Sequence, residues 1–148
     1  MNIFNFAMQM EKDGEAYYRD LAARSGEAGL SHILGMLADD EVKHYQIMKS
    51  FQESVPAQLA DTKVLEDAHN IFSQMRRQGP GELLELGQVE LYRKAQELEK
   101  GSEDFYRQKA GELSDSFQQE IFLKIAGEEA RHYFLLENII TFVTRPQQ

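Results

Sequence analysis

Glu41 and His44 stand three residues apart in "DDEVKH" (39–44), and Glu129 and His132 repeat that spacing in "EEARH" (128–132). Carboxylates and imidazoles are the common oxygen and nitrogen ligands of divalent metals. On a helix, residues three apart lie about 60° apart around the axis, so each pair projects to one side. Two further glutamates belong with them. Glu11 and Glu99 hold equivalent places in "AMQMEKDGEAYYRDLA" (7–22) and "AQELEKGSEDFYRQKA" (95–110), which align without a gap. Ala7, Glu11, Lys12, Glu15, Tyr18, Arg19 and Ala22 recur at the same relative positions. One offset relates all three correspondences: 99 − 11, 129 − 41 and 132 − 44 each equal 88. A single Glu-x-x-His means little in a glutamate-rich chain with 4 histidines. Two pairs, two partner glutamates and one shared register form a joint event that helical patterning alone does not force.

The elements that must position these residues are helices. The first carries Phe4, Ala7, Gly14, Tyr18 and Leu21 at helical spacing, with Asn2 as its cap and "RSGEAG" (24–29) as its end. The second carries Leu30, Leu34, Leu37, Met48 and Phe51 and stops before Pro56. The third runs from about Gly87 to Ala110 with Tyr92, Ala95, Ser102 and Tyr106 on one face. The fourth carries Phe122, Ile125, Leu136, Ile139 and Val143 and ends before Pro146. Such stripes suit an all-α bundle with shallow crossing angles. The expected architecture is one domain over 1–148, a four-helix bundle with an internal two-fold repeat. The repeat halves are about 1–53 and 87–143, joined by one long crossover between helices 2 and 3 at about 54–86, in which Val64 to Gln78 has the pattern of a short extra helix.

Every stripe is interrupted near mid-length by a polar residue: Glu11, then Glu41 and His44, then Glu99, then Glu129 and His132. In a bundle these would bring four carboxylates and two imidazoles to one level of the core. Uncompensated, that burial is costly, and like charges repel. Either some groups are protonated or cations are present. No Lys or Arg occupies a neighbouring stripe position. Two divalent ions would balance four glutamates and use both imidazoles. Oxygen-rich ligation with one nitrogen per metal suits iron or manganese and is unlike a closed structural zinc site.

Composition narrows the remaining classes. The chain has 148 residues, 42% hydrophobic and 28% charged, with only 3 prolines and 10 glycines, as a helical globular protein does. Its net charge of -9 argues against nucleic acid as a partner. The absence of cysteine excludes disulfides, thiolate zinc, cysteine-held iron and cysteine catalysis within these residues. "MNIFNFAMQMEKDGE" lacks the basic region of a signal peptide, and no apolar run approaches the ~20 residues that span a bilayer. No membrane partner and a cytoplasmic location are expected.

The pattern "MEKDGEAYY…DDEVKH…LEKGSEDFY…EEARH" resembles the rubrerythrin-like branch of the ferritin-like di-iron carboxylate proteins, over essentially the whole chain. The resemblance implies a ferritin-like bundle holding two iron ions, with manganese or zinc as substitutes. It implies Glu41 and Glu129 as bridging carboxylates, Glu11 and Glu99 as terminal ligands, and His44 and His132 as the nitrogen ligands. Tyr18 and Tyr106, each seven residues after a terminal glutamate, are similar to the family's tyrosines that hydrogen-bond ligand carboxylates; plain core packing is the other reading of both. Two features depart from the pattern. There is no cysteine-held rubredoxin-like domain in these residues, and Ser102 stands where rubrerythrins carry an extra Glu. Glu15 and Glu103, each four residues before an arginine, read as surface ion pairs, and Asp39, Asp40 and Glu128 as solvated neighbours of the ligands. His32 and His69 match nothing in the pattern.

The function implied is an oxidoreductase, a non-haem di-iron peroxidase that reduces peroxide or dioxygen in oxidative-stress defence. An iron-binding or ferroxidase protein, a di-iron hydroxylase and an interaction module with a vestigial metal are the alternatives. The expected partners are an external electron donor such as a rubredoxin-like protein and a second copy of the chain. The homodimer is a family expectation, to which apolar residues left over from the stripes (Phe6, Leu83, Leu84, Leu86) lend support.

Overall fold

The computed structural model describes residues 2–54 and 88–144. Four helices occur among them and no strand: α1 (Ile3–Arg24), α2 (Ala28–Ser54), α3 (Gln88–Ala110) and α4 (Ser116–Thr144). The chain divides into two compact units, Met1–Pro80 and Gly81–Gln148. Among the described residues each unit contains one helical hairpin, which holds one half of the internal repeat. The expected crossover after Ser54, the short helix at Val64 to Gln78, His69 and the apolar residues Leu83, Leu84 and Leu86 lie outside the described residues.

In the first unit the helix boundaries follow local chemistry. Asn2 caps α1, its side-chain oxygen accepting from Asn5 N at 2.8 Å. The chain leaves α1 through Ser25, whose N–H reaches Leu21 O at 3.0 Å. The Glu27 carboxylate then opens α2 by accepting from Gly29 N at 3.1 Å and Leu30 N at 2.8 Å. These two backbone N–H groups hold Glu27 below the usual carboxylate range. So short a link makes α1 and α2 antiparallel neighbours. Cross-helix pairs run accordingly: Phe4 stacks edge-on against Phe51 at 5.7 Å, and Arg19 reaches Asp39 at 2.9 Å. The core between them is built from Phe4, Ala7, Tyr18, Leu21, Leu34, Leu37 and Met48, all buried as the stripes require. Phe6, expected as an apolar residue left over from the stripe, is 1% exposed and so is buried rather than surplus.

The second unit repeats the plan with different turn chemistry. α3 ends in a tight turn closed by Gly111 N to Gln108 O at 3.2 Å and Glu112 N to Lys109 O at 3.0 Å. Asp115 caps α4, accepting from Gln118 N at 2.9 Å. Arg93 pairs with Glu137 at 2.9 Å, and Tyr106 stacks on Phe122 at 5.2 Å, so α3 and α4 are also antiparallel. Gln96, 3% exposed, ties the two helices together by donating to Tyr133 O at 3.2 Å and Glu137 at 3.0 Å. Glu15 and Glu103 pair with Arg19 and Arg107 at 3.1 and 2.8 Å, as their four-residue spacing predicts. No helix among the described residues is long and apolar enough to cross a membrane.

Candidate metal centre

In the first unit, Glu11 on α1 meets Glu41 and His44 on α2. A glutamate and a histidine three apart share a helix face, and the antiparallel pairing of α1 with α2 sets that face against the middle of α1. His44 Nδ1 lies 3.4 Å from Glu11 Oε1. Each of the three residues offers one ligand atom, and these atoms lie within 4.8 Å of one another. All three are in the interior: Glu11 1%, Glu41 3% and His44 2% exposed.

The second unit builds the same cluster from the repeat. His132 Nδ1 lies 3.3 Å from Glu99 Oε1 and 3.6 Å from Glu129 Oε1. The ligand atoms of Glu99, Glu129 and His132 again fall within 4.8 Å of one another. All three residues are buried. Every glutamate and histidine expected as a ligand is thus interior, and each lies beside the other expected ligands of its own hairpin. Tyr18 and Tyr106 are interior as well, in aromatic clusters: Tyr18 against Tyr17 at 6.4 Å, Tyr106 against Phe105 and Phe122 at 5.3 and 5.2 Å. His32 and Asp39 are exposed, and Asp40 and Glu128 half-buried, off the ligand face.

Two observations test whether these residues fit a metal. The first is donor chemistry and spacing. Two ligand atoms each about 2.1 Å from one ion, at angles between octahedral and tetrahedral, stand roughly 3.0–3.4 Å apart. The His44–Glu11 and His132–Glu99 separations fall in that range. The second is space. A Cβ on Gly14 would lie 3.0 Å from Glu41 Oε2, so the Glu41 carboxylate occupies room that only a glycine leaves. Each hairpin therefore offers two carboxylates and one imidazole in its interior, and the residues fit a divalent metal ion.

The stripes present Gly14 only as a small residue and miss its place beside a ligand. A signal is there: it follows Glu11 by three residues, and a glycine inside a helix costs stability unless space or backbone demands it. The buried side chains of Asp13 and Gln96 are missed as well. Neither lies on a stripe, and only the partner helix reveals Gln96's role.

A family model described as Rubrerythrin matches residues 2–140. Neither a curated protein nor a solved structure matches the chain.

Proposed function

The chain belongs to the Rubrerythrin family, and its fold is all-α, of the ferritin-like four-helix class; from that premise we propose that it is a di-iron carboxylate oxidoreductase that reduces hydrogen peroxide. The observation that carries this reading is the recurrence of one buried Glu, Glu, His cluster in each hairpin at repeat-related positions. In the proposal Glu41 and Glu129 are bridging ligands, Glu11 and Glu99 terminal ligands, and His44 and His132 the nitrogen ligands, one to each ion.

Two iron ions held there would supply one electron each, matching the two electrons and two protons that turn one peroxide into two waters. The residues do the rest. The four glutamates set the charge and spacing of the ions. His44 and His132 would each give one ring nitrogen to an ion. Tyr18 and Tyr106 are buried among other aromatic rings, and the two phenols are placed in the proposal to hydrogen-bond ligand carboxylates.

The experiment is stopped-flow mixing of iron-loaded, anaerobically reduced protein with peroxide and, separately, with dioxygen. Oxidation much faster with peroxide than with dioxygen, with iron retained, supports the reading. Slow oxidation followed by release of ferric iron overturns it in favour of iron handling.

A further inference from the structure

Gly14 lies inside α1, four residues before Tyr18 and three after Glu11. Its backbone is helical, so it does not need the positive φ that glycine alone adopts freely. Alanine would serve the helix better. Space, not backbone conformation, accounts for the glycine. The three atoms nearest to a Cβ built at this position all belong to Glu41: Oε2 at 3.0 Å, Cδ at 3.4 Å and Cγ at 3.6 Å. A carbon 3.0 Å from a carboxylate oxygen is at the limit of how close real Cβ atoms come, so one of them must move.

We propose that Gly14 is a positioning residue for the Glu41 carboxylate, its missing side chain setting the depth at which that ligand lies against α1. The inference rests on the metal-centre reading above and assigns it a residue that is not itself a ligand. The atom that must yield is the end of a flexible side chain. A methyl group would therefore leave the hairpin folded and push the carboxylate aside by rotation. Metal geometry tolerates such a shift poorly, because bond lengths at these ions are narrow.

The internal repeat sharpens the point. Position 14 corresponds to position 102, where Ser102 is buried with a Cβ in place. The register of the repeat does not by itself require glycine; the approach of Glu41 does. The two hairpins, alike in their ligands, are thus unlike in what stands behind one of them.

The test compares Gly14→Ala with Gly35→Ala, a helical glycine whose added Cβ meets nothing within 4 Å, and with the double variant Gly14→Ala/Glu41→Asp beside Glu41→Asp alone. Affinity is read by anaerobic titration with ferrous iron, and folding by thermal melting of the metal-free protein. Both single glycine variants are expected to melt, metal-free, at or above the wild type. G35A should bind iron as the wild type does, and G14A about 10–100-fold more weakly, the range seen when the support of a ligand is lost. Shortening Glu41 by one methylene withdraws it from the new methyl, so the double variant should bind more tightly than the product of the two single losses. Wild-type affinity in G14A, a lower metal-free melting temperature in G14A, or additive losses in the double variant would each overturn the proposal. Failure of the wild type to bind iron would instead overturn the metal-centre reading itself, so the two failures are distinguishable.

Discussion

His44 Nδ1 stands 3.4 Å from Glu11 Oε1 across the α1–α2 pair, and 88 residues later His132 Nδ1 stands 3.3 Å from Glu99 Oε1 across α3–α4. Two helix pairs with different turns, caps and flanking ion pairs converge on nearly one distance. What they share is the ligand spacing and the antiparallel register that brings mid-helix to mid-helix. A core position held this closely in duplicate, with polar groups rather than leucine, is costly to the apo protein.

Metal-free protein should melt lower than loaded protein. Burying two carboxylates beside an imidazole in each hairpin is unfavourable until their charge is offset. A ligand present at about 100 times its Kd adds roughly 2.7 kcal/mol to the folded state. Differential scanning calorimetry before and after chelation checks this. An unchanged melting temperature would mean that the clusters hold no ion.

Stoichiometry should be two ions per chain, and the substitutions should separate by role. Glu41→Ala or Glu129→Ala should disturb both ions, since each is proposed as a bridge. Glu11→Ala or Glu99→Ala should weaken one ion more than the other. Elemental analysis with a two-site binding fit decides it, and equal effects from all four would remove the bridge assignment.

Much of this site is legible in the amino-acid sequence, and the reason is physical. Ligands three apart on a helix must share a face, and a repeat with a constant offset carries that face from one half of the chain to the other. The caps are legible too, because Asn2 and the "RSGEAG" break act through their own neighbours. What escapes depends on the partner helix. Phe6 reads as surplus because one stripe cannot say how wide the buried face is, yet it is 1% exposed. Gly14 reads as filler because its neighbour Glu41 lies on α2, 27 residues away in the chain.

Glu27 should make the first hairpin acid-sensitive independently of any metal. Its carboxylate accepts from Gly29 and Leu30 N–H, which lowers its folded pKa below the unfolded value. A lowered pKa contributes stability that is present above the unfolded pKa and disappears as pH falls through the folded one. Glu27→Gln should therefore destabilise the metal-free protein slightly at pH 7, with the gap to wild type closing in acid. Urea midpoints across that range measure it; a gap that widens in acid would contradict the assignment.

Core substitution should separate stability from chemistry. Leu34 is 0% exposed on α2, on the stripe of the ligands but away from them in the chain. Leu34→Ala should cost about 2–5 kcal/mol, while still binding two ions once folded. Denaturant unfolding and metal content of the same preparation read both quantities. Loss of one ion with normal stability would mean that the helix position, rather than packing, depends on Leu34.

Sustained peroxide reduction should require an electron source outside the chain. Each peroxide takes two electrons and two protons to become two waters, and two iron ions can give one electron each. After one such event the protein is oxidised. The chain has no cysteine, so these residues contain neither a dithiol nor a cysteine-held iron centre to refill the site. No G-x-G-x-x-G motif offers a nicotinamide or flavin either. Reduced, iron-loaded protein mixed with excess peroxide should consume about one equivalent per pair of ions and stop. Adding a reduced rubredoxin-like protein should restore consumption in proportion to the electrons supplied, two per peroxide. Continued consumption without a donor, with dioxygen released, would mean that peroxide serves as its own reductant, and the peroxidase proposal would give way to a disproportionation.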